Sequence, residues 1–580
     1  MQIKSNGKAV KILSETKAGT NLPVLVELNK PVYPGENVEL DISFAATVAE
    51  YAGIEEVKLT SWYPCLDWGF ETHDDYDVKI DKTSEYLLAT SGTLASKSGY
   101  FHAENVRSFG LFLGKDYKVI EAKAKDVLVQ VVYKTQAEEC AQLVLETAVE
   151  TINFYRERFG LYPYRSLVII PGGMTHPAGG YPVATSMVGI HAMEQFDSKP
   201  KTFWQWITAH EIGHQYWGEY VLSKDISDSF NWLMIGLGIY TDRELTRAHG
   251  INSQIHRSGF VQTYIKGVRK GFDTTINITP EQRSRIKFDF NNIVKHGKSY
   301  SVISALDCVL GEKVFDTIYR RCLKEFAGRR LGVSDFQTIC EEESDQDLGW
   351  FFEQWVNSNK YLSYEISSKK SEKKGGLYIS DIEVNCLGDL KMPVPVTAYF
   401  EDGSSQTKFT DRALQNNILR FESKTALKDA VLDANGKLAL VVPPPAPDEA
   451  QLTSMVKELP WTGAGSNALE VFKKVKQGKM TDPGAWFKLG LTLYDGKYYP
   501  QAIKAFRNTQ QLSEKNSNDY LVSLVWQGHI SDLLGQRNQA LNYYEQVLKQ
   551  DNNFGMQHSQ YQMRINRDWV KERINKPFER

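Results

Sequence analysis

A chain of 580 residues is longer than one hydrophobic core serves, and at roughly 100 to 200 residues per domain it divides into three to five domains. With 42% hydrophobic, 12% aromatic and 24% charged residues the composition is globular, which excludes long disorder, collagen and simple coiled coil. A net charge of -3 without a basic cluster argues against a nucleic-acid partner, because neutralising phosphates needs a concentrated excess of Lys and Arg. No run approaches the ~18 to 20 apolar residues of a membrane span; the longest, such as Val127 to Tyr133, have strand length. The first residues form no apolar leader, so the chain as given is expected to be cytoplasmic, while a natural start upstream of Met1 would leave export open. Six cysteines without CxxC pairs fit unpaired thiols in a reducing compartment.

Up to about Tyr133, short runs with period-two alternation (Val38 to Phe44, Glu56 to Trp62, Tyr86 to Ala89, Val127 to Tyr133) are separated by Gly, Pro, Asn and Asp, the pattern of a β-rich domain. From Ala137 the period becomes helical, and this first helix should stop at Phe159-Gly160. Long helical segments follow to about Asn357. Leu362 to Leu440 returns to strand alternation, as in Val394 to Phe400, with the length of a small β-sandwich. The run Pro443-Pro444-Pro445-Ala446-Pro447 reads as a semi-rigid linker. Beyond it Trp486, Leu489, Gly490, Ala502 and Phe506 stand at the spacing of a tetratricopeptide repeat, and Gly528, Ala540 and Tyr544 recur 38 residues after Gly490, Ala502 and Phe506. Two such repeats need a cap, for which a last helix over Gln557 to Ile574 is the candidate.

Chemistry concentrates in one segment. Thr202 to Tyr220 reads as a helix containing His210-Glu211-Ile212-Gly213-His214. Histidines at i and i+4 share a helix face and can ligate one Zn²⁺, with Glu211 one residue round as general base toward a metal-bound water. The plain alternative for the two histidines is a hydrogen-bonded core pair.

The surroundings of this motif carry a resemblance. Trp217-Gly218-Glu219-Tyr220-Val221, Trp232-Leu233, Gly172-Gly173-Met174, Trp62-Tyr63-Pro64, Phe159-Gly160-Leu161-Tyr162-Pro163-Tyr164 and Phe351-Phe352-Glu353-Gln354-Trp355 together resemble the membrane alanyl aminopeptidase family of gluzincin metallopeptidases, over about residues 40 to 440. The resemblance implies a multidomain α+β fold. Its parts would be an N-terminal β-saddle (1–135), a thermolysin-like α/β catalytic domain (136–360) and a β-sandwich (361–442), followed by a Pro-rich linker (443–465) and a tetratricopeptide-like α-helical repeat module (466–580). It also implies one zinc ion as cofactor, His210 and His214 as its ligands, Glu211 as general base and a peptide as substrate.

The chain departs from that family at three positions. The third zinc ligand of the family is a glutamate in a Trp-Leu-Asn-Glu-Gly segment, and here Trp232-Leu233-Met234-Ile235-Gly236 puts a hydrocarbon, Ile235, in its place. Asp242 and Glu244 lie about two turns or more downstream. The family strand that binds a substrate's α-ammonium through a glutamate reads Gly172-Gly173-Met174-Thr175-His176, so Gly173, Met174 and Thr175 are the substrate-binding candidates and Thr175 has no charge to offer. The family tyrosine that stabilises the oxyanion is matched by His296, with Tyr300 one turn on as a substitute.

His176 and His296 are both candidates for a replacement third metal ligand, and His296 for a catalytic oxyanion donor. Two readings therefore compete: a zinc peptidase with an incomplete and weakly held metal, or an inactive relative that binds peptides or proteins through its cleft, with the helical tail docking a protein partner.

Overall fold

The protein is described by a computed structural model for residues 1–14, 24–45, 56–60, 62–64, 73–81, 85–94, 99–172, 179–225, 228, 230–251, 255–442, 449–460, 463, 465–475, 480–550, 552–558 and 563–580. The chain folds as two compact units, Met1–Val441 and Val442–Arg580. The Pro443 to Pro447 run at their junction lies outside the described residues.

Within the first unit the N-terminal part is a set of short antiparallel strands. Leu40–Ser43, Glu56–Leu59 and Leu87–Thr90 form inside the alternating runs expected there, each shorter than its run. A five-stranded sheet follows, built from β1 (Lys118–Ala124), β2 (Val127–Tyr133), β3 (Ser166–Pro171), β4 (Gly179–Ala184) and β5 (Met187–His191) in the order β1-β2-β3-β5-β4. β2 and β3 run parallel, and the crossover between them is α1 (Glu138–Phe159). Gly160 ends α1 in the left-handed region, with φ 92°. The sheet thus crosses the expected domain boundary at residue 135. Val127, Val129 and Val131 are buried in the core that also holds α1.

Helices α2 (Lys201–Tyr216), α3 (Trp232–Ala248) and α4 (Ser299–Leu310) build the other half of the central domain. α2 stops four residues short of the expected Tyr220 because the chain turns at Gly218, whose φ of 113° suits glycine alone. The motif residues after it pin that turn to its surroundings. Arg107 Nη1 donates to Gly218 O at 2.6 Å, Thr185 Oγ1 donates to Glu219 Oε2 at 2.6 Å, and His73 Nε2 bonds Glu219 O at 2.7 Å.

Residues 364–432 form two three-stranded antiparallel sheets, the arrangement expected of a β-sandwich, with Ile382, Val384 and Phe421 of one and Val396, Ala398 and Phe400 of the other in the core.

In the second unit the expected linker is cut short at residue 449. Glu449–Glu458 is a helix, because Leu452 and Val456 are buried in the helical core. Helical hairpins α5 (Pro483–Asp495) with α6 (Tyr499–Leu512), and α7 (Asn518–Leu533) with α8 (Arg537–Leu548), carry the small and aromatic residues picked out by spacing. A Cβ on Gly490 would stand 2.8 Å from the Phe506 ring, and one on Gly528 would overlap Tyr544, so each glycine admits the aromatic of its partner helix. The expected last helix is instead a strand pair, Met556–His558 with Met563–Ile565, followed by α9 (Arg567–Asn575). Asn566 caps α9 by accepting from Trp569 N at 2.9 Å, which fixes its late start. Among the described residues no helix is long and apolar enough to cross a membrane.

Because each unit has its own core, a chain ending at Val442 should keep the first unit folded, with a cooperative melt by circular dichroism. Aggregation of that fragment would show that the helical unit covers apolar surface of the first.

Candidate functional site

The motif helix α2 is buried over its last turns, and His210, Glu211 and His214 are all closed from solvent. Two glycines let α2 and α3 touch. A Cβ on Gly213 would stand 3.1 Å from Gly238 O, and a Cβ on Gly238 would stand 3.0 Å from His214 Cε1. The rings of His210 and His214 meet edge to face at 4.8 Å, as the i, i+4 spacing requires. Strand β4 closes the other side of the motif, where Gly180 lies so near Glu211 that a Cβ there would be 2.7 Å from Oε1.

α3 begins at Asn231, whose side chain accepts from Leu233 N at 3.1 Å and Met234 N at 3.2 Å. Ile235 follows in the first turn, with only 6% of its surface exposed. Two turns later comes Asp242, and seven residues at about 100° each return to the same face of the helix. His210 Nδ1–H donates to Asp242 Oδ2 at 2.7 Å, Trp206 Nε1–H donates to Asp242 Oδ1 at 3.2 Å, and His256 Nε2–H donates to the same oxygen. With Nδ1 protonated toward Asp242, His210 keeps its lone pair on Nε2. Hydrogen bonding of this kind orients metal-ligating histidines, and it equally satisfies a buried histidine without metal.

The electrostatics follow from burial. Loss of water would raise the Asp242 carboxyl, but His256 and His210 beside it hold it below the usual value; burial would lower His210, but the Asp242 bond raises it. His214 is driven well down by burial and by the neighbouring His210 and His296. Glu211 is pushed up to about 7 by burial, and among the described residues its Oε2 has no hydrogen-bond partner.

His296 sits on a widened π-helical turn, Asn291–Lys298, that runs into α4. It is half-buried, stacks on Phe260 at 6.4 Å, and donates from Nδ1 to Asn291 O at 2.8 Å. Burial drives its ring down to about 4. A neutral ring that donates through Nδ1 has only an acceptor at Nε2, which argues against His296 as an oxyanion donor at neutral pH. Tyr300 is buried within α4, at 5.6 Å from the His256 ring. Gly173, Met174, Thr175 and His176 lie outside the described residues, while Gly172 before them abuts His191 at the end of β5.

Zinc in a catalytic site needs three protein ligands. His210 and His214 could supply two, Ile235 can supply none, and among the described residues no three His, Cys, Asp or Glu side chains could hold a metal ion together. The described donor set does not fit a catalytic zinc. Sequence reasoning placed Asp242 too far from Ile235 to matter, although its i+7 spacing was the signal for a shared face. His256 and Trp206 escaped it altogether; no motif links His256 to α2.

Residues 143–355 match the family described as Peptidase family M1 domain. The match covers the central part of the chain, including the motif helix α2 and helix α3. No curated protein matches the sequence. Among solved structures, the chain is similar to aminopeptidase A of Legionella pneumophila, solved in complex with aspartic acid. The identity is 14% and the TM-score 0.52, over 94% of this chain and 67% of that one, a likeness of fold.

Glu211 gives the site a pH signature. Its ordinary value is 4.5 and its folded value about 7, so ionisation is easier in the unfolded chain and the folded state loses stability as pH rises between them. Glu211→Gln should therefore raise stability at pH 8 by up to about 3 kcal/mol and flatten the pH dependence of the melting temperature across that window. An unchanged slope would mean that Glu211 meets a cation in the folded protein.

Proposed function

We propose that this protein is a peptide-binding relative of the M1 peptidases whose cleft has lost the family's zinc-dependent hydrolysis. The observation that carries this reading is Ile235, buried on α3 where the family's third ligand belongs, with Asp242 on the same face engaged by His210, Trp206 and His256. The ligand is an extended peptide, the substrate class of the family. Because Thr175 stands where the family's amine-binding glutamate would be, a free N-terminus is not part of the recognition. The helical unit, built from tetratricopeptide-like hairpins, serves as a docking module for a protein partner.

A second reading has one observation in its favour. The Asp242–His210 pair is the outer support that a zinc-ligating histidine uses, which suits a zinc peptidase completed by His176 or His296, with Glu211 as its general base.

Two experiments separate the readings. On the first, a peptide should bind the purified protein with the same affinity whether or not its N-terminus is acetylated, and mass spectrometry should find it uncleaved. Cleavage that a chelator abolishes would establish the second reading.

For the metal itself, Ile235→Glu should tighten zinc binding at least tenfold over the parent, by about 1.4 kcal/mol or more. If His176→Ala or His296→Ala instead released a stoichiometric zinc as readily as His210→Ala, the third ligand would be that histidine and the hydrocarbon at Ile235 would be irrelevant.

A further inference from the structure

The chain leaves α9 and returns across the helical unit as residues 577–580, an extended segment outside regular secondary structure. Pro577, Glu579 and Arg580 are exposed, and Phe578 alone is buried. The Phe578 ring stacks on His529 of α7, with centroids 4.1 Å apart and planes 17° apart, and its N–H donates to Asp532 Oδ2 at 2.9 Å. Two residues on, the Arg580 guanidinium donates to Tyr494 O at 3.0 Å, to Asp495 O at 3.2 Å and to Asp495 Oδ1 at 3.4 Å, lying over the Tyr494 ring at 4.7 Å. Those carbonyls close α5, where a helix presents unsatisfied acceptors and partial negative charge. The segment therefore spans the first helices of both hairpins.

The groups that receive it are held by other parts of the unit. Asp532 is bound by Arg537 at 2.9 Å and by the Tyr544 hydroxyl at 2.8 Å; His529 Nε2 accepts from Trp569 at 3.1 Å; Tyr494 packs on Trp526 at 4.8 Å. An aromatic platform, a carboxylate for a backbone N–H and an acidic helix end are thus in place independently of the segment. Recognition through one buried ring and one guanidinium two residues apart, with the neighbouring side chains in solvent, is how a groove reads a short extended peptide.

We propose that residues 577–580 are a displaceable strap occupying, in cis, a peptide-docking site of the helical unit, and that this site takes an aromatic-x-arginine segment of a partner protein. A strap tethered so closely competes at an effective concentration in the millimolar range, so it sets a threshold for partner binding.

The test uses the full chain, a variant lacking residues 577–580 and the double variant Phe578→Ala/Arg580→Ala. The probe is a fluorescein-labelled Lys-Pro-Phe-Glu-Arg peptide followed by anisotropy, with Lys-Pro-Ala-Glu-Arg as control. Both variants should keep their helical circular dichroism and bind the probe at least tenfold more tightly than the parent, and neither should bind the control. Folded variants that ignore the probe, or bind it no better than the parent, would overturn the proposal. Loss of helical signal in both variants would overturn it too, by showing the strap to be a plug the unit cannot fold without.

Discussion

A carboxylate taken out of water has to find its hydrogen-bond donors within the protein, and the environment of Asp242 shows the result. His210 from α2, His256 from the segment 255–261 and Trp206 from α2 all point their N–H groups at it. The charge is shared among elements that are far apart in sequence, so it ties them together. Removing the carboxylate would leave two buried imidazoles without their partner, a loss of the kind that costs about 3 to 5 kcal/mol. The close approach of α2 and α3 at Gly213 and Gly238 brings Asp242 within reach of His210, and Gly180 allows strand β4 to seal Glu211 from the other side.

This arrangement holds the motif helix in place through contacts of the protein itself. In a zinc site the metal would hold the two histidines. Here His210 is held by Asp242 and His214 by its packing against Gly238 and Phe230, so the helix has neighbours that do not depend on the ion. Ile235 packs buried hydrocarbon into the first turn of α3. Glu211 is left as a buried carboxyl whose neutral form is favoured up to about 7, a different electrostatic situation from a base facing a metal-bound water.

Much of the fold was legible because it rests on local rules. The strand Val127–Tyr133 appears with the bounds its alternation suggests, and α1 ends at Gly160 because only a left-handed residue could turn the chain there. Gly490 and Gly528 announced their aromatic partners by spacing alone, since a helix pair that close has no room for a side chain. What depended on distant pairing was not legible. β1 and β2 alternate like the N-terminal strands before them, and only the parallel pairing of β2 with β3, with β1 antiparallel on β2, places them in the central sheet. The region of Met556 to Ile565 has enough polar residues for a helix, and it is the Asn566 cap that separates a strand pair from α9. In the site, the HExxH residues could be read directly, whereas His256 reaches Asp242 through the tertiary fold and has no signature in the chain.

The central claim is that His210, Glu211 and His214 form a site held by protein groups alone. Anomalous diffraction at the zinc edge, from crystals soaked in excess zinc, tests it most directly. The account predicts no ordered zinc bound by three protein side chains, with the His210–Asp242 hydrogen bond unchanged. A tetrahedral zinc on His210, His214 and a third side chain of this protein would contradict it.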